Sequence, residues 1–170
     1  NDDTLVVVYD NLSGSQASRA WWTLRWAGHK NVRLLDGGFK AWQAASMATT
    51  ATPAVAPGGG TATLSAGNMP VVDADQSADI AQTGVLIDSR GAAAFVGEAD
   101  KPNTGHIPGA ISSPSAVNIG PDGLFKSTEE LKAGFAALGA DGSKPLGVYC
   151  GSGIAAAHTI AAMHAAGLDA

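Results

Sequence analysis

The sequence of 170 residues predicts an α/β fold with two similar units, each a small, mainly parallel sheet flanked by helices, with the first unit incomplete. Three observations carry this prediction. Short apolar, β-branched runs are typical of buried parallel strands. Stretches with helical spacing of apolar residues separate these runs, as in crossover connections. A strand–loop–helix pattern near the start of the chain recurs near its end.

The first unit opens with the apolar run Leu5 to Tyr9, which predicts a strand. Apolar residues at helical spacing follow, and Gly28 supplies a C-cap at the end of that helix. Val32 to Leu35 predicts the next strand, and Phe39 to Ala45 predicts a short helix. Residues 46–68 are rich in Ala, Thr, Pro and Gly, a composition typical of a linker.

The second unit, residues 69–170, alternates strands and helices in the same way. Ser127 and Glu130 have the spacing of a capping box, so we expect a helix that begins there and ends before Gly139. The other predicted elements are a strand at Val85 to Asp88, a short helix through Phe95, a turn at Gly105 to Ala110, a strand at Leu146 to Tyr149 and a helix at Ile154 to Ala166.

An internal repeat relates the two units. The segment VVVYDNLSGSQASRAWWTLRWAG parallels LGVYCGSGIAAAHTIAAMHAAG, with loops that differ by one residue. Asp10 in the first copy and Cys150 in the second occupy matching positions after the strand. Each unit also contains segments without a counterpart in the other. We therefore expect the middle of a two-unit protein, cut at both ends.

Composition and charge exclude several function classes. The formal net charge of −5 gives no overall attraction for nucleic acid or an anionic membrane, so we expect neither as a partner. No apolar run approaches the roughly 18 residues that a membrane span needs. The single cysteine excludes an internal disulfide and a multi-cysteine zinc site. We expect no cofactor and no metal.

Cys150 is the strongest candidate for chemistry. It follows a predicted strand and begins a Gly-rich loop that leads into a helix, where backbone N–H groups and the helix dipole favour a thiolate. The structural alternative is a small buried side chain, the usual role of a lone cysteine. A cysteine phosphatase would need an Arg six positions after the cysteine to hold phosphate, and that position is Ala156.

Several segments match one family in order and spacing. They are ASRAWWTLRWAGHKNVRLLDGGFKAW in the first unit and LIDSR, GHIPGA and YCGSGIAAAH in the second. On these residues the chain resembles the rhodanese superfamily of sulfurtransferases, specifically the two-domain type. The resemblance implies that residues 1–45 are the second half of a catalytically silent N-terminal domain and 46–68 a linker. Residues 69–170 would be the catalytic C-terminal domain, truncated before its last strand.

The implied function is the transfer of sulfane sulfur through a persulfide on Cys150. The donor would be a small anion, thiosulfate or 3-mercaptopyruvate, and the acceptor cyanide or a thiol. Cys150 and Ser152 would be catalytic, and in the mercaptopyruvate reaction the family's loop serine acts with an Asp and a His that would lie upstream of Asn1. The implied substrate-binding residues are Arg90, Gly151, Gly153, Ile154 and Ala155. For Arg90 the alternative is a structural pair with Asp88 or a neighbouring loop.

A module of the same fold that binds or regulates without turnover is the alternative from another class. We expect a cytoplasmic protein, and the unpaired sheet edges at the cut ends predict association with another chain, such as a homo-oligomer. The four tryptophans are expected in the core and between the units. His158 and His164, six positions apart, lack the spacing of metal ligands and are expected at helix edges.

Overall fold

The first unit is a two-stranded parallel sheet with a helix packed on it. The computed structural model describes residues 1–55, 58–101 and 104–169. Strand β1 (Val6–Val8) pairs with β2 (Val32–Leu34), and Val6 is opposite Val32. Helix α1 (Ser15–Trp26) connects the two strands, and the short helix α2 (Gly38–Ala44) follows β2. The order is that of a parallel crossover unit.

The second unit is built on a three-stranded parallel sheet in the order β4–β3–β5. All four residues of the central strand are buried, so this strand needs cover on both faces. The helices pack against the sheet through a core that includes Ile87, Phe135 and Met163. The elements of this unit are α3 (Ala74–Thr83), β3 (Val85–Asp88), α4 (Ala92–Val96), β4 (Ile111–Ser112), a 3₁₀ turn (Ser115–Asn118), α5 (Thr128–Ala137), β5 (Leu146–Tyr149) and α6 (Ile154–Ala165).

Two capping boxes begin helices of the second unit. The Ser127 hydroxyl accepts from the Glu130 N–H, and the Glu130 carboxylate accepts from the Ser127 N–H, which confirms the predicted start of α5. Asp73 and Gln76 make the same reciprocal pair at the start of α3. Helix α3 is not among the predicted elements, although its capping residues have the diagnostic spacing.

Helices α1 and α6 form the main contact between the two units. Trp21 of α1 is 4% exposed and packs with Val32 and Ala161, so this tryptophan has the predicted core position. Phe125 touches the cores of both units, and its N–H donates to the Asp36 carboxylate at 2.9 Å. The two sheets are thus joined through packed side chains as well as through the chain.

The end of the segment predicted as a linker lies against the first unit. The Ser65 N–H donates to the Ala27 carbonyl, and the Asn68 N–H donates to the Trp26 carbonyl, so the end of this segment is tied to the end of α1. Residues 56 and 57 of the predicted linker, and residues 102, 103 and 170 of the predicted second domain, lie outside the described residues. None of the helices in the described parts of the chain is long and apolar enough to cross a membrane.

The predicted position of His158 at a helix edge is wrong, because its side chain is buried between the units. It is 3% exposed, its ring stacks on Phe125 at 4.8 Å, and its Nε2 lies 3.2 Å from the Ser13 carbonyl oxygen. Because a carbonyl oxygen only accepts, Nε2 carries the proton. Nδ1 is buried and has no hydrogen-bond partner among the described residues. His164, by contrast, is exposed.

This arrangement predicts a loss of stability in mild acid. Burial holds the pKa of His158 below its ordinary value of 6.5, although the Ser13 contact opposes that shift. The unfolded chain therefore takes up the proton more readily, and stability decreases as the pH falls below 6.5. We expect the Tm to decrease when the pH is lowered from roughly 7.5 to 5.5. Each kcal/mol lost from the free energy of unfolding lowers the Tm by roughly 2–4 °C. The decrease should be smaller in His158→Gln, and equal decreases would contradict the prediction.

Candidate functional site

The candidate site lies at the carboxyl edge of the second sheet. Strands β3 and β5 are parallel neighbours, with Asp88 opposite Tyr149, so the residues that follow both strands emerge side by side. Ser89 and Arg90 follow β3, and Cys150 follows β5. This edge is where open parallel sheets bind their ligands.

Cys150 is half-buried between the end of β5 and the start of α6. Gly153 precedes α6 in the left-handed conformation, with φ at 82°, which a glycine adopts without strain. This turn directs the Gly153 N–H at the thiol, and its N–Sγ distance is 3.0 Å. The unpaired N–H groups at the start of a helix and its dipole favour negative charge on a group so placed.

The other predicted loop residues surround this contact to different degrees. Gly151, Ser152 and Ile154 are exposed, and Ala155 is half-buried. The hydrogen bond to Sγ comes from Gly153. Ser152 is thus next to this contact and exposed to solvent.

Asp10 shows how the matching loop of the first unit holds an anion. Its Oδ1 accepts from the N–H groups of Leu12 and Gly14 at 2.7 and 2.9 Å. Its Oδ2 accepts from those of Gln16 and Ala17 at 2.7 and 2.8 Å. Partial burial raises the pKa of Asp10, but these four donors outweigh it and leave the pKa below its ordinary value of 3.8.

The two loops share one backbone turn. Gly14 precedes α1 with φ at 84°, and Gly153 precedes α6 with φ at 82°. The Gly14 N–H donates to the Asp10 carboxylate at 2.9 Å, and the Gly153 N–H donates to the Cys150 sulfur at 3.0 Å. The repeat in the sequence is therefore a repeat of one loop conformation, in which a backbone N–H donates to the side chain that follows the strand.

Arg90 is held by partners within the protein. Its Nε lies 2.9 and 3.1 Å from the two Asp88 carboxylate oxygens, and its Nη2 donates to Asp88 and to the Gly105 carbonyl. The Asp88 side chain is fully buried, so the pair neutralises a charge inside the protein. The guanidinium also lies over the Tyr149 ring, at 5.6 Å. This geometry favours the structural alternative for Arg90 over substrate binding.

A cavity of about 320 Å³ opens beside Cys150. Its wall includes two residues of α1, Arg19 and Trp22, which the sequence analysis did not assign to the site. The internal repeat could have indicated these two residues, because it aligns α1 with α6, the helix that begins at the cysteine loop. The first unit thus contributes side chains to the site of the second.

The parallel strands, the crossover helices and the cysteine loop at a strand end together define a rhodanese-type α/β domain. Residues 1–45 and 72–169 match the Rhodanese-like domain, and the chain belongs to that family. SseB of Mycobacterium tuberculosis is 39% identical over 99% of this chain, which covers 61% of SseB. The 3-mercaptopyruvate sulfurtransferase of Escherichia coli is 35% identical over 96% of this chain, which covers 59% of that protein.

Solved structures agree with this assignment. The crystal structure of SseA from Escherichia coli, a 3-mercaptopyruvate sulfurtransferase, superposes with a TM-score of 0.84 at 34% identity. The match covers 99% of this chain and 64% of the SseA chain. The present chain spans about three fifths of the length of the curated relatives it matches.

Asp10→Asn tests the anion-holding loop of the first unit. The amide NH₂ cannot accept hydrogen bonds, so at least one pair of N–H donors loses its partner, and we expect a loss of about 1–3 kcal/mol at pH 7. Because the folded pKa is lowered, this stabilisation is complete above pH 3.8 and is lost as the pH falls through the folded value. Urea unfolding at several pH values would show the gap between wild type and variant closing in acid.

Asp122→Asn is the matched control, since its carboxylate accepts one backbone N–H, from Leu124, on an exposed turn. We expect a change within about 0.5 kcal/mol for this surface substitution. Equal losses in the two variants would contradict the special role of the Asp10 loop.

Arg90→Ala tests the structural role of the ion pair. The buried Asp88 carboxylate would be left unpaired, at a cost of about 3–5 kcal/mol in the free energy of unfolding. Asp88→Asn combined with Arg90→Ala removes the uncompensated charge, so the double variant should recover part of the loss. If urea unfolding showed the double variant to be less stable than Arg90→Ala, the result would contradict the role of Arg90 in neutralising the Asp88 carboxylate.

Proposed function

We propose that the chain accepts and donates sulfane sulfur through Cys150, as a sulfurtransferase. The donor is thiosulfate or 3-mercaptopyruvate, and the acceptor is cyanide or a thiol. The observation that supports this proposal is the hydrogen bond from the Gly153 N–H to the Cys150 sulfur, at 3.0 Å. The matching loop of the first unit holds the Asp10 carboxylate with four backbone N–H groups. The names of the relatives support the same reaction class.

The Asp10 side chain supplies a template for a persulfide in this loop. In Asp10 the anionic oxygens stand two bonds beyond Cβ, which is where the outer sulfur of a cysteine persulfide stands. With Gly14 aligned on Gly153, the donors Gln16 and Ala17 correspond to Ala155 and Ala156. We therefore propose that the N–H groups of Ala155 and Ala156, at the start of α6, donate hydrogen bonds to the outer sulfur of the Cys150 persulfide.

The first half-reaction needs little proton movement with thiosulfate. The Cys150 thiolate attacks the outer sulfur, the new Sγ–S bond forms, and the S–S bond of the donor breaks with its electron pair leaving on sulfite. The persulfide anion that remains is held by the loop N–H groups. In the second half-reaction cyanide attacks the outer sulfur, and thiocyanate leaves as the Cys150 thiolate is restored.

With 3-mercaptopyruvate the donor's carbon–sulfur bond breaks, and the enolate that leaves must gain a proton to become pyruvate. In this proposal the proton comes from the donor's own thiol, and the solvent-exposed Ser152 hydroxyl passes it on. In this proposal Arg90 holds the Gly105 turn beside the site. Gly151 and Gly153 let the backbone approach the sulfur, and the Ala155 and Ala156 N–H groups face the anion at the start of α6.

In this proposal the first unit is catalytically silent and the second is catalytic. Residues 1–45 form part of a silent rhodanese-like domain whose loop is filled by Asp10, and residues 69–170 belong to the catalytic domain. Asp10 has no sulfur to transfer, and its carboxylate already occupies the N–H donors of its loop. The tandem arrangement thus leaves one active cysteine.

The proposal predicts that thiosulfate adds one sulfur atom to the chain and that the sulfur disappears on addition of cyanide. Cys150→Ser should abolish this change in intact mass, because serine forms no persulfide. Ser152→Ala should keep most of the reaction with thiosulfate and lose about 10²-fold or more with 3-mercaptopyruvate, which needs the proton. Sulfur uptake by Cys150→Ser, or no uptake by the wild-type chain, would refute the proposal, and the second result would favour a binding module.

A further inference from the structure

A cation from the first unit lies against the cysteine loop of the second. The Nη1 of Arg19 is 3.0 Å, and its Cζ 3.3 Å, from the point at which a Cβ on Gly153 would stand. The guanidinium also lies over the Trp22 ring, at 5.1 Å. Arg19 is on α1, so its place depends on how α1 packs against α6.

The repeat shows that this contact follows from the packing of the two helices. Arg19 stands five positions after Gly14, and His158 stands five positions after Gly153, so the two residues correspond. His158 reaches back to the loop of the first unit, where its Nε2 donates to the Ser13 carbonyl at 3.2 Å. Each helix therefore extends one side chain to the loop that precedes the other helix.

The charges around Cys150 leave Arg19 available to a ligand. Arg19 is the charged side chain among the residues that line the cavity beside Cys150, and the rest of the wall is mostly apolar. The other nearby arginine, Arg90, is paired with the buried Asp88. Within residues 1–55, 58–101 and 104–169, the ion pairs are Arg90–Asp88 and Lys101–Glu98, so Arg19 has no carboxylate partner there.

We propose that Arg19 is a positioning residue, supplied by the first unit, that draws anionic sulfur donors to the Cys150 thiol. This inference rests on the proposed sulfurtransferase function. The group it recognises is the sulfonate-like end of thiosulfate or the carboxylate of 3-mercaptopyruvate, since a guanidinium binds both as a planar, paired donor. An exposed guanidinium is screened by salt, so the effect weakens at high ionic strength.

Alkylation of the single cysteine tests this inference without any sulfur transfer. Iodoacetate is an anion and iodoacetamide is neutral, and in both the thiolate displaces iodide from carbon. We expect Arg19→Gln to lower the ratio of the iodoacetate rate to the iodoacetamide rate roughly tenfold at low salt, with a smaller effect at high salt. Arg19→Lys should keep part of the ratio.

Arg25→Gln is the matched control on the same helix. The Arg25 guanidinium lies over the Trp21 ring at 5.2 Å, and the cavities it lines do not include Cys150. Its alkylation ratio should equal that of the wild type. An unchanged ratio in Arg19→Gln, or an equal fall of both rates, would overturn the proposal, since the latter would reflect altered reactivity of the thiol itself.

Sulfur loading from thiosulfate separates this inference from the function on which it rests. In Arg19→Gln we expect the thiosulfate concentration for half-maximal loading to rise roughly tenfold, with the maximal rate little changed. A fall in maximal rate at unchanged half-saturation would overturn the positioning role. If the wild type takes up no sulfur while the alkylation ratio still falls in Arg19→Gln, the sulfurtransferase proposal fails and the cationic role of Arg19 at Cys150 is supported.

Discussion

A left-handed glycine at the start of each of the two packed helices is the constraint on which the site depends. Gly14 and Gly153 turn the chain so that a backbone N–H points back at Asp10 or Cys150, the side chain that follows the preceding strand. Any other residue would be strained in this conformation. At Gly153 a side chain would also crowd Arg19, whose Nη1 is 3.0 Å from the Cβ position. The turn and the contact between the units therefore require the same glycine.

The same turn has a different consequence in each of the two loops. In the first unit the carboxylate of Asp10 satisfies four N–H donors, so the loop is closed and contributes to stability. In the second unit the smaller Cys150 thiol receives one N–H, from Gly153, and no side chain among the described residues accepts from the first N–H groups of α6. A loop whose N–H groups are already hydrogen-bonded gains stability, whereas a loop with unpaired N–H groups has the geometry in which helix starts bind anions.

Local patterns predicted much of the fold. Strands β1, β2, β3 and β5 appear within the predicted apolar runs, and α5 starts at the predicted capping box, because these features depend on neighbouring residues. The two-residue strand β4 was not predicted, because its place depends on pairing with β3. Helix α3 was missed because its residues are mostly polar or alanine and its apolar spacing is weak. His158 was misplaced because nothing within α6 shows that Phe125 and Ser13 come to lie against it.

The sequence by itself determined the α/β class, the repeat and the position of Cys150 at the end of a strand before a helix, since each is written in residues that are neighbours along the chain. Only the tertiary structure decided which groups surround Arg90 and Arg19. Arg90, adjacent to the predicted site, is held by Asp88 and Gly105, whereas Arg19, 131 positions before Cys150, lies beside the cysteine loop. The physical reason is that a guanidinium's role depends on which charges and carbonyls surround it. The packing of α1 on α6 and the pairing of β3 with β5 set those surroundings.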